Sequence, residues 1–339
     1  MCYSALSQHG TGQWCFTEFA DTRNKGLNAM CKISLTNSSL VSFCSCRRQY
    51  DYKFNKGIVP VENAKSYDNA IALKEALITV AVSHSEHLSA EDCIAQALMT
   101  LKSKGLEMQD EARLEAAIRA YVKRYYDPDS QDWEVVSGTP NAGVTVQMTP
   151  NVTYTTYLDY VVRNRKSGKT FVVVNKSSST IGDDFMCRFF IDNEIRLQVI
   201  AAKQLLCCDV DGVIINAVTR PQHKIKVGET DEEYAERNNA RKGKADLKRK
   251  VGESREEFVS RVVEDYSDDS LKRATIMFTE AQLNQAMSTV IAVAFDMMAC
   301  KSFYPNTSEC IKYGKCPYTD LCMREGDLSQ VSDQYTTKK

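Results

Sequence analysis

The chain has 339 residues, of which 43% are hydrophobic, and its 43 Lys and Arg residues nearly balance its 44 Asp and Glu residues. This length and apolar fraction fit one large domain or two ordinary ones, while the low counts of glycine (15) and proline (7) exclude collagen-like and disordered classes. The net charge of −1 argues against a wholly basic nucleic-acid binder, although a local basic patch can hide in a balanced total.

The first 37 residues are polar, weakly periodic and interrupted by glycines, a pattern that predicts an N-terminal extension. They contain no basic segment followed by an apolar run, so no secretory signal is expected. The 13 cysteines are an odd number, which in this setting favours reduced thiols in an intracellular, cytoplasmic protein. The longest apolar stretch, residues 287–300, contains Asp296 and is too short to span a bilayer, so no membrane partner is expected.

Helical patterns follow from residue 38 to about residue 126. The segment SSLVSFCSCRRQYDYKF (38–54) offers a serine N-cap and then apolar residues at helical spacing. Two longer patterns of the same kind cover residues 67–82 and 90–126, and each predicts one helix. The first part of the chain is therefore expected to be helical.

The pattern then changes to short runs rich in Val, Thr and Tyr, which predict strands. These are GVTVQM, TYTTYLDYVV and KTFVVVN, and the last two are joined by a hairpin-like RNRKSG that closes at Gly168. A predicted helix, IDNEIRLQVIAAKQLL, and a further strand, DGVIINAV, come next. Three strands, a helix and a return strand indicate a mixed sheet with a helix packed on it, which is an α/β core.

An internal repeat lies in a charged helical insertion, residues 218–272. KVGETDEEYAER recurs as KVGESREEFVSR, and each copy predicts a turn followed by a helix that begins at the Thr or Ser hydroxyl. Two copies are fewer than a solenoid needs, so the repeat is a local duplication.

Between the copies lies a run of basic side chains: Arg241, Lys242, Lys244, Lys248, Arg249 and Lys250. This run could follow a phosphate backbone, and so could Arg47 and Arg48 near the start of the helical part. A charged run between acidic helices is equally compatible with a solvated helix face, so both interpretations stay open.

Three cysteines near the C-terminus, Cys310, Cys316 and Cys322, are separated by five residues each and lie in a loop rich in turn residues. Soft metals and iron–sulfur clusters select thiolate ligands, and such a loop lets three sulfurs converge. A fourth ligand must come from elsewhere, with Cys46 the leading candidate and Cys44 the second. The alternative is that these are ordinary buried thiols.

A second group of chemical interest is Asp159 on one predicted strand, Lys176 at the end of the next, and Glu194 on the helix that follows. Two carboxylates and a lysine at adjacent strand ends could hold Mg²⁺ and polarise a water molecule for attack on a phosphodiester. Charged residues at strand ends are also commonly just solvated, so this pattern alone decides little.

Five segments, taken in order, resemble the PD-(D/E)XK nucleases of the RecB type that carry an iron–sulfur cluster, a group that includes CRISPR-adaptation nucleases and phage relatives. The segments are SLVSFCSCRRQYDYKF, YLDYVVRNRKSGKTFVVVNKSSS, IDNEIRLQVIAAKQLL, KVGESREEFVSRVVEDY and the C-x5-C-x5-C loop. The resemblance covers about residues 38–323 and implies a restriction-endonuclease-like mixed sheet flanked by helices, with a helical N-terminal part and a cysteine-cluster segment, residues 310–322. Residues 324–339 are expected to be a polar tail.

The resemblance also implies roles for single residues. Asp159 falls on the metal-binding aspartate of that family and Lys176 on its catalytic lysine. Four cysteines fall on the ligands of a 4Fe–4S cluster, for which zinc is the alternative: Cys46, Cys310, Cys316 and Cys322. The commoner family pattern has two residues between the first two terminal cysteines, and this chain has five.

The active site departs further from the family pattern. The acidic residue two before the lysine is Val174 here, and the upstream histidine of the family falls on Lys74. A valine cannot bind Mg²⁺ or Mn²⁺, so impaired catalysis is implied. Some members of the wider superfamily take the second carboxylate from the next helix, where Glu194 lies.

The expected function is therefore DNA processing or DNA binding on a nuclease fold that has become a pseudoenzyme. The alternative is an active Mg²⁺- or Mn²⁺-dependent DNA nuclease that uses Asp159, Lys176 and the migrated carboxylate of Glu194. DNA is the expected partner, with a nuclease or helicase subunit as a further one, in a prokaryotic or phage-infected cell. A third possibility is a structural zinc protein whose resemblance is accidental, which a helix-only core would support.

Overall fold

The computed structural model describes residues 32–61, 65–240, 248–312 and 314–338 of the chain. These residues form an α/β structure with a five-stranded sheet, a three-stranded sheet and a small two-stranded sheet. The α/β class predicted from the sequence is confirmed, and a helix-only core is excluded. Within the described ranges no helix is both long enough and apolar enough to cross a membrane.

The bounds of the regular elements follow in chain order. The strands are β1 (Ile33–Thr36), β2 (Ile58–Pro60), β3 (Trp133–Val135), β4 (Gly143–Thr149), β5 (Val152–Tyr157), β6 (Tyr160–Asn164), β7 (Thr170–Ser178), β8 (Gly212–Thr219), β9 (Leu271–Met277) and β10 (Tyr335–Thr337). The helices are α1 (Asn37–Ser45), α2 (Arg47–Tyr50), α3 (Lys65–Ser85), α4 (Ala90–Lys102), α5 (Met108–Asp132), α6 (Asp183–Cys187), α7 (Asn193–Leu206), α8 (Asp231–Asn239), α9 (Arg255–Glu264), α10 (Glu280–Ala299) and α11 (Thr319–Met323).

The five-stranded sheet has the order β3-β6-β7-β8-β9 and is mixed. β6 and β7 form the predicted antiparallel hairpin, in which Gly168 has a φ of +69° that favours glycine. β7 and β8 are parallel and are connected through α7, while β9 returns antiparallel to β8. α7 contacts β7 and β8 on one side and β4 and β5 of the three-stranded sheet on the other. The helix therefore lies between the two sheets.

The centre of the fold is β7, because its apolar run is buried on both faces. Val172 and Val174 pack into the core around α7, whereas Phe171 and Val173 pack into a second cluster under α3. Each fully buried valine contributes roughly 1.5–3 kcal/mol. A continuous apolar run of this kind is typical of a strand with both faces covered.

Two predicted elements are wrong in their bounds. Residues 90–126 form α4 and the first part of α5 rather than one helix, because the chain turns at Gly105, whose φ of +63° cannot continue a helix. The run TYTTYLDYVV forms β5 and β6, which belong to different sheets, rather than one strand. Asp159 consequently lies at the corner between them, directly before β6.

The ends of the described chain take part in sheets. β1, within the predicted extension, pairs with β5 in parallel, and β10, within the predicted polar tail, pairs with β2. α1 begins two residues earlier than a Ser38 N-cap predicts, because Thr36 caps it. Residues 1–31 of the predicted extension lie outside the described residues.

Candidate functional site

The strand-end site is the group formed by Lys74, Asp159, Lys176 and Glu194. Tyr160 of β6 pairs with Val173 of β7, so Asp159 lies beside the part of β7 that leads to Lys176. Glu194 lies in the first turn of α7, which follows β7 in the chain. The three residues that the sequence nominates are thus positioned by two neighbouring strands and the next helix.

One carboxylate oxygen of Asp159 accepts a hydrogen bond, and the other has an ion-pair contact that lacks hydrogen-bond geometry. The side chain is 1% exposed, and its Oδ2 accepts a hydrogen bond from the backbone N–H of Asn175 at 2.7 Å. Its Oδ1 lies 2.7 Å from Nζ of Lys74, which reaches in from α3. Lys74 is the residue on which the histidine of the resembled family falls, and its contact with Asp159 was not predicted.

Lys176 and Glu194 form a second ion pair. Nζ of Lys176 lies 3.2 Å from Oε2 of Glu194, and both side chains are about a quarter exposed (25% and 23%). Side chains two apart on a strand share a face, so Lys176 lies on the α7 side of β7 together with Val172 and Val174. This orientation explains why the lysine meets the helix carboxylate.

Val174 occupies the position at which the resemblance places a metal-binding acid. Its side chain is 2% exposed and belongs to the apolar core that includes Ile195 and Leu197 of α7. No water or ion can reach this position without displacing packed methyl groups. The valine is therefore part of the hydrophobic core of the fold.

A buried polar network supports the site from the opposite face of the sheet. Asn216 donates from Nδ2 to Oδ1 of Asn175 (3.2 Å) and to the hydroxyl of Tyr121 (3.0 Å). Arg273 donates from Nε to Oδ1 of Asn216 (2.7 Å) and forms a bidentate ion pair with Asp129 (2.5 and 3.0 Å). Burial raises the pKa of Tyr121 to about 12, so its hydroxyl stays protonated and can donate.

Mg²⁺ and Mn²⁺ do not fit the side chains at the strand-end site. Mg²⁺ needs oxygen ligands in near-octahedral geometry, usually with carboxylates that face it. Here the oxygens of Asp159 face an ammonium and an amide group, and Glu194 faces Lys176. Val174 adds no oxygen at all. The donor set therefore matches cationic side chains better than a divalent ion.

The four predicted cluster cysteines come from segments that the structure brings together. Cys46 lies between α1 and α2, and its Sγ accepts a hydrogen bond from the backbone N–H of Asn306 at 3.4 Å. The side-chain amide of Asn306 also donates to the Ser45 carbonyl (2.9 Å). The terminal loop, residues 303–312 and 314–322, is therefore attached to the end of α1 at this point. Within the loop, the N–H of Cys316 donates to the carbonyl of Cys310 at 2.8 Å.

The electrostatics of these thiols show which cysteines are neighbours. Burial raises the pKa of both Cys316 and Cys322, and the negative charge of a thiolate at Cys46 raises both further. For Cys44 the pKa is raised by burial and then by Asp296, a residue of α10. Cys46, which also accepts the hydrogen bond from Asn306, is thus the thiol that interacts with Cys316 and Cys322.

These cysteines belong to a small C-terminal unit, formed by residues 46–60, 303–312 and 314–338. Its core consists of six buried side chains, with Cys316 and Cys322 packed against them: Tyr52, Ile58, Tyr318, Leu321, Val331 and Tyr335. As they stand, no three or more His, Cys, Asp or Glu side chains of the described residues form a group that could hold a metal ion. The residue types suit a cluster, and the thiols must approach one another to bind it.

Arg47 and Arg48 attach the same unit to the rest of the protein. The guanidinium of Arg47 lies between the rings of Phe43 (5.0 Å) and Tyr304 (5.3 Å). Nε of Arg48 donates to the carbonyl of Phe303 at 2.6 Å. Their contact with DNA stays a prediction, and the contacts described give both residues a structural role.

The two repeat copies form the repeat lobe, residues 224–240 and 248–264. Its helices begin as predicted: the hydroxyls of Thr230 and Ser254 each accept a hydrogen bond from the backbone N–H three residues later. α9 packs on α5 through Phe258 and its neighbours. The insertion is therefore anchored to the helical part by its second copy.

The copies bind each other through equivalent contacts. Glu229 of the first copy accepts a hydrogen bond from the N–H of Lys250 (2.7 Å), and Glu253 of the second accepts one from the N–H of Lys226 (2.8 Å). A Cβ added to Gly252 would lie 2.8 Å from the nitrogen of Gly228, so the two turns need glycine to approach. The lobe consequently has approximate two-fold symmetry, which the sequence repeat alone does not reveal.

The acids at this symmetric contact are neutralised within the lobe. Nε of Arg237 lies 2.8 Å from Glu229, and Nε of Arg261 lies 2.9 Å from Glu253. The hydrogen bond from Arg261 lowers the pKa of Glu253 to about 2. Four lysines in equivalent positions are exposed on the lobe: Lys224, Lys226, Lys248 and Lys250.

The other residues of the insertion that are predicted to contact DNA differ in exposure and in ion pairing. Nη2 of Arg249 lies 2.6 Å from Oδ1 of Asp231, so part of its charge is neutralised within the lobe. Lys248 is exposed. Arg241, Lys242 and Lys244 lie outside the described residues.

Comparisons with known proteins add no family assignment. No protein-family model matches the chain, and no curated protein matches it. The function proposed below therefore depends on the residues and contacts of this chain and on the resemblance of its motifs.

Proposed function

We propose that the chain is a DNA-binding protein whose core resembles a nuclease but does not cut DNA. The observation that carries this proposal is the buried side chain of Val174, which stands where a metal-binding carboxylate is expected. A methyl-lined position cannot bind Mg²⁺, and catalysis of phosphodiester hydrolysis in this type of site relies on the metal to stabilise charge and to activate water. The fold can persist without that chemistry.

The exposed lysines of the repeat lobe support binding to a polyanion. Lysines near phosphates release counterions on binding, so affinity falls steeply as the salt concentration rises. The two acids at the centre of the lobe are held by arginines, and the four lysines are exposed around them. The helices α8 and α9 expose acids of their own, such as Glu232 and Glu256. The net charge of −1 for the whole chain does not oppose such a local patch.

An iron–sulfur cluster, or zinc, bound by Cys46, Cys310, Cys316 and Cys322 is part of this proposal. When bound, the metal supplies bonds that hold the C-terminal unit to the start of the domain. A six-residue core is too small to be stable on its own, so metal binding would be coupled to the folding of this unit.

The experiment that tests the function measures binding and cleavage on the same DNA. We expect single- or double-stranded DNA to be bound with a strong salt dependence and to remain uncut in Mg²⁺ or Mn²⁺. Replacing the four lobe lysines by glutamate should lower affinity at least about 100-fold at low salt, because four phosphate contacts are lost and repulsion is added.

The matched control replaces four exposed lysines outside the lobe, with the same change in net charge: Lys32, Lys102, Lys169 and Lys338. We expect this variant to lose much less affinity than the lobe variant. Equal losses in both variants would show that the lobe is not the binding surface, and wild-type protein that fails to bind DNA would end the proposal.

A metal-dependent nuclease is the second candidate, and the observation that favours it is the 3.2 Å contact of Lys176 with Glu194. In that case the wild type cleaves DNA, and Lys176→Ala and Glu194→Ala each abolish cleavage. A wild type that leaves DNA intact in both metals removes this candidate.

A further inference from the structure

We infer that the Lys74 ammonium group takes the place of a divalent cation at the strand-end site, so that the protein fills its own cation site. Three features carry this inference: the burial of Asp159, the position of Lys74, and the charge balance of the site. Whether the chain binds DNA does not bear on it.

Asp159 needs a positive partner because it is almost completely buried. Its side chain is 1% exposed, and an ionised carboxylate in such surroundings is unstable without a counter-charge. The backbone N–H of Asn175 satisfies Oδ2 but carries no net charge. The ammonium of Lys74, at 2.7 Å from Oδ1, supplies the charge.

The position of Lys74 on α3 directs its side chain to this carboxylate. Ile78, one turn later on the same helix face, is buried against Phe171 and Val173 of β7. The face of α3 that carries Lys74 therefore packs on the sheet. The side chain of Lys74 is 39% exposed, so part of it is in contact with solvent while its ammonium group reaches the buried Asp159.

The charges at the site balance without a metal ion. Lys74 neutralises Asp159 and Lys176 neutralises Glu194, which makes two one-to-one ion pairs. A divalent cation is usually bound by one or two carboxylates that face it, and by water. With valine at position 174, one carboxylate is left for the buried pocket, and a single ammonium matches its charge. Valine at position 174 and the ammonium group of Lys74 are thus consistent with each other in charge.

This arrangement predicts that removing Lys74 creates a metal requirement. Lys74→Ala leaves Asp159 buried without its counter-charge and opens space beside Oδ1. We expect the variant to melt several degrees below the wild type and to regain most of that loss in millimolar Mn²⁺. The wild type should show no change in Tm with Mn²⁺, because its site is already filled. Adding Val174→Glu to Lys74→Ala should tighten Mn²⁺ binding at least about tenfold by calorimetric titration.

Two further variants make the test specific. Lys176→Ala breaks the other ion pair, whose carboxylate is more exposed than that of Asp159, and is expected to show no recovery with Mn²⁺. The double variant Lys74→Ala with Asp159→Asn removes both charges, so it should be more stable than Lys74→Ala and insensitive to Mn²⁺. An equal Mn²⁺ response in the wild type and in Lys74→Ala would overturn the inference, as would a Lys74→Ala protein that is destabilised but indifferent to Mn²⁺.

The test remains decisive if Lys74→Ala does not fold in the absence of metal. The variant is then refolded from urea with and without Mn²⁺, and native structure is followed by circular dichroism. Recovery in Mn²⁺ alone supports the inference. Failure to refold under either condition, while the double variant with Asp159→Asn refolds, shows that Mn²⁺ cannot replace the ammonium group and overturns it.

Discussion

Replacing Cys316 by serine is expected to remove the metal from the purified protein and to unfold the C-terminal unit. A serine hydroxyl is a poor ligand for iron or zinc, so one of four proposed bonds is lost. Loss of a supporting residue around a metal site already costs about 10–100-fold in affinity, and loss of a ligand should cost more. The brown absorbance of an iron–sulfur cluster and the solubility of the protein should both decline.

The unfolding should be local because the unit has its own small core. Tyr52, Tyr318 and Leu321 pack within it and not into the main core around α7. Limited proteolysis and hydrogen exchange are expected to show new cleavage and fast exchange in residues 303–338, while β7 and α7 stay protected. This difference separates loss of the unit from general unfolding.

Cys44→Ser is the matched control, since Cys44 is two residues from Cys46 but is exposed and lies near Asp296. We expect this variant to keep its metal and its resistance to protease. Equal behaviour of Cys316→Ser and Cys44→Ser would contradict the cluster proposal. A colourless wild type with stoichiometric zinc would replace iron–sulfur by zinc and leave the structural role intact.

The elements that the sequence predicts well are those whose pattern is decided by burial. β7 and β8 are continuous apolar runs because both faces of the sheet are covered, and α7 carries a polar N-cap, Asp192, before its apolar face. For these segments local pattern and tertiary environment agree. The α/β core could therefore be predicted from the residues alone.

The secondary-structure predictions are wrong where tertiary contacts override the local sequence pattern. The run that contains Asp159 has strand character throughout, and nothing in its alternation reveals that the chain changes sheets at that corner. The sequence does not predict β9, because Lys272 and Arg273 follow its first residue and are typical of a surface loop. In the structure, Arg273 of this strand is directed into a buried network with Asp129 and Asn216.

The candidate site was predictable in its residues but not in their pairing. Asp159, Lys176 and Glu194 are predicted from their places at two strand ends and on the next helix. The partner of Asp159, however, comes from α3, which packs on the sheet. One sequence signal was available: Asn175 is polar within an apolar run, and a buried polar residue usually has a defined hydrogen-bond partner. Its contact with Asn216 is the start of the network behind the site.

Arg273→Met is expected to be the most destabilising change in the main core. The arginine side chain is 21% exposed, and it is bound to Asp129, to the Tyr121 hydroxyl and to Asn216. Removing one partner of a buried ion pair costs about 3–5 kcal/mol, because the remaining charge is left without compensation. Since Asp129 is also partly exposed (22%), we expect about 3 kcal/mol from urea denaturation.

Arg188→Met is the control for size and charge, because Arg188 is exposed and lies over the rings of Phe185 (4.3 Å) and Phe189 (4.7 Å). Its loss should cost no more than about 1 kcal/mol.

Adding Asp129→Leu to Arg273→Met should recover part of the stability, since replacing a buried ion pair by apolar groups is often near neutral. If the double variant is no more stable than Arg273→Met, the cost lies in the lost donors to Asn216 and Tyr121. In that case the network acts chiefly by holding Asn175, and with it the N–H that binds Asp159, in place.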